Sequence, residues 1–226
     1  MANQDFNVLG MQRGKVGNVV GYVRKGKQCY RGYVSKVAQS KSETAMQAKA
    51  IFGYLGKIAR AMRGAANRGF MKFVKSSTMS GSNIFMKENY AAVTASSPEE
   101  ISVDYGAMIV SKGNLPEVAF KTPSFAEEAE VSVAFDSNND MPGAADTDAV
   151  YIVVYQPDTM QCVVSAPSTR NAGSISTKVP ARWSGMEVHV YGFVQNPEER
   201  YVEQLLGNMP QYEASPSVYI GHGNIA

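Results

Sequence analysis

Residues 150–155 read VYIVVY. The run is apolar on both faces of an extended chain, which predicts a central strand. Outward from it, short apolar segments recur at close intervals, each bounded by Gly, Pro, Asn or Asp: 101–110, 118–121, 130–135, 162–165, 174–179, 187–194 and 217–221. In EVHVYGFV, 187–194, Val188 and Val190 alternate with His189 and Tyr191, the pattern of a strand with one covered face. About eight strands with turn residues between them predict an antiparallel, Ig-like β-sandwich. Ser97-Pro98-Glu99-Glu100 reads as a capped turn at the entrance to it.

The preceding segment has a different texture. Ser40-Lys41-Ser42-Glu43 forms a capping box, and Ile51, Leu55, Ile58 and Met62 then recur at helical spacing with Phe52 alongside. Lys49, Lys57, Arg60 and Arg63 fall on the other side, so the sequence predicts an amphipathic helix with a basic outer face. Gly64 and Gly69 end or kink it, and 70–74 predicts a second short helix before the Ser-rich stretch 76–82. Earlier still, GKVGNVVGYVRKGKQCYRGYVSKV, 14–37, sets valines and tyrosines between glycines around the tip Arg24-Lys25-Gly26-Lys27, which predicts a β-hairpin. A lone hairpin is marginal in water, so this one is expected to lie on its own sandwich, on a neighbouring subunit or on nucleic acid. The fold class is therefore mainly β (α+β), with a basic glycine-rich arm over 1–39, a basic helical segment over 40–90 and an acidic sandwich over 91–226.

The formal net charge of +2 hides a dipolar chain. Residues 1–90 carry 16 Lys and Arg against three acids, a net +13, while the remaining 136 carry six against 17, a net −11. Two consecutive elements of one sign call for an acidic partner surface opposite them. At 226 residues the chain can bury a real core. No apolar run approaches the roughly 20 residues of a membrane span, and MANQDFNVLG lacks a secretory signal, so the protein is expected to stay in a bacterial cytoplasm and off membranes. Cys29 and Cys162 are too far apart in sequence and too few for a disulfide framework and read as free thiols.

Reactive chemistry finds little to work with. The two histidines, His189 and His222, read as a sheet residue and a residue of the terminal Gly221-His222-Gly223 turn, and no zinc-binding spacing occurs. In the loop DSNNDMPGAADTD, 136–148, Asp136, Asn138 and Asp140 match the first calcium-ligand positions of an EF-hand. Met141 and Thr147 then replace the turn glycine and the bidentate Glu, leaving a solvated hairpin loop. GMQRGKV, 10–16, fails as a phosphate loop because three residues rather than four separate its glycines and Val16 stands where Ser or Thr would hold magnesium. No G-x-S-x-G elbow is present. The expectation is a non-enzymatic protein with no cofactor and no metal.

Five blocks resemble a domain-of-unknown-function family spread through Bacteroidota and phage-related DNA: GKVGNVVGYVRKGKQCYR (14–31), SETAMQAKAIF (42–52), ISVDYGAMIVSKGNLPEVAF (101–120), RNAGSISTKVPARWSGMEVHVYGFVQN (170–196) and ASPSVYIGH (214–222). They cover nearly the whole chain, in order. The resemblance implies a basic arm and helix joined to a β-sandwich and supplies no catalytic residues. Residues 196–213, NPEERYVEQLLGNMPQYE, are longer than the family pattern and offer an extra contact surface.

Two functions follow as expectations. The first is a structural protein that builds a homo-oligomeric ring, tube or virion-like assembly, such as a phage component, by packing the basic arm of one copy on the acidic sandwich of the next or on other virion proteins. The second is a nucleic-acid-binding protein that contacts phosphates through the arm and helix, with Tyr22, Tyr30 and Tyr33 able to stack on bases. Either uses the same candidate contacts: Arg13, Lys15, Arg24, Lys25, Lys27, Arg31, Lys49, Lys57, Arg60 and Arg63.

Overall fold

The computed structural model describes residues 2–4, 12–24, 26–35, 42–76, 79–126, 129–196, 200–202, 209–211 and 213–226. They fall into two compact units, Met1–Ser42 and Glu43–Ala226. Lys25 at the expected hairpin tip, Ser40 and Lys41 of the expected capping box, and most of 196–213 lie outside the described residues.

The first unit is a four-stranded antiparallel sheet. Its strands β1 (Ala2–Gln4), β2 (Gly14–Val16), β3 (Val19–Arg24) and β4 (Lys27–Gly32) lie in the order β1-β4-β3-β2. The expected hairpin is β3–β4, and a second one, β2–β3, turns at Gly17, whose φ of +58° favours glycine.

The second unit begins with helices α1 (Glu43–Ala61), α2 (Arg63–Gly69), α3 (Met71–Ser76) and α4 (Gly81–Glu88). Met62 passes the backbone ladder from α1 to α2, its N–H donating to Ile58 O at 2.8 Å and its carbonyl accepting from Ala66 N at 2.9 Å, so the basic stripe continues across the break. Strands follow as β5 (Val93–Ala95), β6 (Ile101–Val103), β7 (Ala119–Phe120), β8 (Ser124–Ala126), β9 (Glu130–Asp136), β10 (Ala149–Gln156), β11 (Gln161–Val164), β12 (Ser168–Thr169), β13 (Ser174–Lys178), β14 (Glu187–Gln195), β15 (Arg200–Val202), β16 (Met209–Gln211) and β17 (Val218–Asn224). One sheet runs β11-β10-β14-β17 with β12 also on β10, and another is built on β9, flanked by β13, β7 and β8. The protein is mainly β, with antiparallel sheets and a helical layer.

All eight residues of β10 are buried, as VYIVVY predicts. Side chains alternate across a strand, and here each face meets a different layer. Val150, Ile152 and Val154 join Val188, Val190 and Val194 of β14 against Val131, Val133 and Phe135 of β9, with Trp183 beside them. Tyr151, Val153 and Tyr155 join Tyr191 and Phe193 against Leu55, Ile58, Met62, Phe70 and Phe85 of the helical layer. Between the sheets Gly192 is required: a Cβ there would run into the Phe120 ring.

Several expectations need correction. β14 has both faces covered, because the helices occupy the side where His189 and Tyr191 were read as facing solvent. Only Ile101–Val103 of the expected strand 101–110 is extended in a sheet. Asn89 claims the later part instead: its amide accepts from Ile109 N at 2.6 Å and donates to Ile109 O at 2.8 Å, stapling that loop to α4. The segment 136–148 is no hairpin, since it crosses from β9 in one sheet to β10 in the other. Its end is held by Asp148, whose carboxylate sits 3.2 Å from the Arg170 guanidinium with both side chains fully buried. Arg170 also donates to Ser137 O at 2.8 Å and Pro116 O at 2.6 Å, tying three loops together. His222 lies within β17 rather than in a turn. Helix α4, capped by Ser80 Oγ accepting from Asn83 N at 3.3 Å, occupies what the sequence offered as a Ser-rich stretch and its sequel.

Candidate cationic surfaces and binding groove

In the first unit the ladder sorts the expected contacts onto one face. Lys15 pairs with Val20 and Val20 with Arg31, while Arg24 pairs with Lys27, so alternation puts Lys15, Arg24, Lys27 and Arg31 on the same side of the sheet. All four are exposed, as is Arg13 just before β2. Lys15 Nζ stands 3.5 Å from the centroid of the Tyr33 ring, a cation–π contact that occupies one of the three tyrosines expected to be available for stacking.

The opposite face carries Val16, Val19, Val23 and Tyr30. Val16 and Val19 are direct cross-strand partners, yet they are 75% and 44% exposed. Tyr30, Val16 and Val19 line a hollow of about 250 Å³ with Gln12, Arg13 and the glycines Gly14 and Gly21. Among the residues of this unit whose burial is described, those that are buried are Gly21, Gln28 and Cys29; the Gln28 amide donates to Gln12 O at 2.8 Å.

In the second unit Lys49, Lys57, Arg60 and Arg63 form one exposed stripe opposite the buried Leu55, Ile58 and Met62. At a rise of about 1.5 Å per residue the stripe is roughly 20 Å long. At its end Arg60, Arg63 and Asn67 meet Ser80, Ser82 and Met86 of the α4 region around a groove of about 310 Å³. No acidic side chain lines it, and among the described residues neither guanidinium has an ion-pair or hydrogen-bond partner. Beside it Phe52, Met79, Asn83, Met86, Lys87 and Tyr90 line an apolar groove of about 560 Å³.

The structure also gathers groups that the sequence left scattered. The two histidines are cross-strand partners, His189 on β14 opposite His222 on β17. The Tyr219 hydroxyl lies between them, 3.0 Å from His189 Nδ1 and 3.2 Å from His222 Nδ1, and His222 Nε2 is 3.7 Å from Glu187. Tyr105 stacks on His189 with centroids 4.1 Å apart. Burial holds the His189 pKa below its ordinary value, with His222 adding to the effect and Glu187 opposing it. The sequence signal was one histidine on an expected strand and one in an expected terminal turn; their register could not be read from it. Among the described residues no group of three or more His, Cys, Asp or Glu is placed to hold a metal ion, and no helix is long and apolar enough to cross a membrane. Neither cysteine is in a disulfide, and burial pushes the Cys162 thiol up to about 12.

A family model described as a family of unknown function (DUF6266) matches residues 11–203. No curated protein and no solved structure matches the chain.

Proposed function

The chain belongs to that family of unknown function, and from that premise we propose that it is a non-enzymatic structural protein whose N-terminal sheet docks on another copy to build a homo-oligomeric assembly. The observation that carries the reading is the Val16–Val19 pair, apolar, exposed and set in a unit where, among the residues whose burial is described, only three are buried. Units of about 40 residues with so little core draw their stability from disulfides, metals or oligomerisation, and neither cysteine is in a disulfide. A covering surface on a second copy supplies the missing layer, and the net −11 of residues 91–226 offers a counterpart to the cationic face. A heterologous contact of this kind closes into rings or stacks into tubes. A virion-like particle of a phage is the setting that the sequence resemblance implies.

Light scattering on the full chain and on residues 43–226 tests this. The full chain is expected to run as a discrete multimer and the truncated chain as a folded monomer. An unchanged number of copies after truncation would sink the proposal. Recording the 260 to 280 nm absorbance ratio across each peak separates the alternative, since a small species carrying nucleic acid that salt removes would make the basic surfaces phosphate contacts.

A further inference from the structure

The groove at the junction of α1, α2 and α4 combines features that the assembly reading does not use. Arg60, Arg63 and Asn67 lie at i, i+3 and i+7 along a helical path whose backbone ladder continues through Met62, so all three project from one side. Ser80 and Ser82 face them across the groove. Gly81 is what allows this approach: a Cβ there would meet the Asn67 side chain at 2.6 Å and Ala66 O at 2.9 Å. The two helical segments are thus drawn together around two guanidiniums.

Two cations held one helical turn apart repel each other, and salt bridges elsewhere in the unit show the usual remedy. Lys112 meets Glu88 at 2.9 Å and Lys72 meets Glu213 at 3.1 Å. Arg60 and Arg63 lack such a counterpart among the described residues, and the groove between them is lined otherwise by neutral donors and small apolar groups. Its volume of about 310 Å³ is at the low end of the roughly 300–1,000 Å³ typical of small-ligand sites.

We propose that this groove binds a phosphate group, with Arg60 and Arg63 as paired guanidinium contacts and Asn67, Ser80 and Ser82 as neutral hydrogen-bond donors. A guanidinium presents a planar fork that fits two phosphate oxygens at once, and hydroxyl and amide donors serve those that remain. The start of α4 borders the groove and adds the positive end of its dipole. The same phosphate chemistry has two sources, a free nucleotide or a nucleic-acid backbone. In the second case Lys57 and Lys49 extend the contact along α1.

Titration calorimetry of the full chain with a nucleoside monophosphate and with a short single-stranded oligonucleotide, at matched ionic strength in chloride, tests the proposal. The double variant R60Q/R63Q is expected to weaken binding of whichever probe binds by about tenfold or more, as loss of charge-assisted hydrogen bonds implies. Both side chains are exposed, so the Trp183 fluorescence of the variant should match that of the parent. R60K/R63K keeps the charge but not the fork and should recover only part of the affinity. If the source is a backbone, K57Q lowers oligonucleotide affinity and its salt slope by about one while sparing the monophosphate. Binding of neither probe, or binding that R60Q/R63Q leaves unchanged, would overturn the proposal. The groove lies wholly in residues 43–226, so its failure leaves the assembly test on the N-terminal sheet untouched, and the reverse holds too.

Discussion

Val154 faces Val190 across one antiparallel ladder, and Val16 faces Val19 across another. The first pair is completely buried; the second is 75% and 44% exposed. Residue type and strand pairing are the same in both, so neither explains the difference. What differs is the layer above. The sheet of β10 and β14 has β9 and its neighbours on one side and the helices on the other, whereas in the N-terminal sheet the described residues show no comparable cluster. Burying a valine contributes about 1.5–3 kcal/mol, and the body collects that term on both faces of its central strands. The N-terminal sheet leaves it uncollected, which is why its completion by another copy is the functional reading.

The largest test of that contrast strikes the body's polar staple. Removing one partner of a buried ion pair costs about 3–5 kcal/mol because the other charge stays buried and alone. Asp148→Asn or Arg170→Met should therefore lower the unfolding free energy by that amount and move the denaturation midpoint down accordingly. Trp183, the single tryptophan, is fully buried in the body, so its fluorescence reports the body and not the N-terminal sheet. Deleting residues 1–42 should leave the same fluorescence midpoint nearly unmoved. If truncation shifts it as far as Arg170→Met does, the two units share their stability and the comparison fails.

Next in size is Gly192→Ala. A Cβ would collide with the Phe120 ring between the sheets, and overpacking of this kind costs about 1–3 kcal/mol. The double variant with Phe120→Leu should recover part of the loss, since neighbouring substitutions are not additive. Strict additivity in a denaturation series would show that the ring does not press on this position. A substitution at Gly26, where open space surrounds the site but φ is +78°, would act through backbone strain alone and should leave Trp183 unaffected.

Much of this architecture was written in the sequence at the level of single elements. VYIVVY identified a strand covered on both faces, and Leu55, Ile58 and Met62 identified the buried side of α1, because each pattern records its own burial. Pairing across distance was not legible. Nothing in DSNNDMPGAADTD says that Asp148 meets Arg170, 22 positions later, and without that pair the loop reads as a hairpin rather than a crossing between sheets. Helix α4 escaped because Ser80 and Gly81 carry turn-like composition while serving as its cap and first residue. The groove residues Arg60 and Arg63 were legible as a basic stripe, but their partners across the groove, Ser80 and Ser82, depend on how α4 packs. The same holds for His189 and His222, whose meeting is fixed by strand register.

That histidine pair gives the smallest effect and the sharpest probe of the body's edge. Burial depresses the His189 pKa below 6.5 in the folded protein. In the unfolded chain it titrates near 6.5, so just below that pH the unfolded state binds more protons than the folded one. Stability therefore falls as the pH drops below about 6.5, levels off beneath the folded pKa, and is fully present above the unfolded value. The groups facing His189 are Tyr219 and His222 from β17, Glu187 from its own strand and Tyr105 stacked on its ring. Beyond burial, Glu187 opposes the depression of the His189 pKa and His222 adds to it. His189→Gln should flatten the Trp183 denaturation midpoint between pH 5 and 7, and the same substitution should leave the light-scattering mass at pH 7 unchanged, because His189 is buried in the body. A midpoint that keeps its full pH slope in His189→Gln would place the acid sensitivity elsewhere in the body.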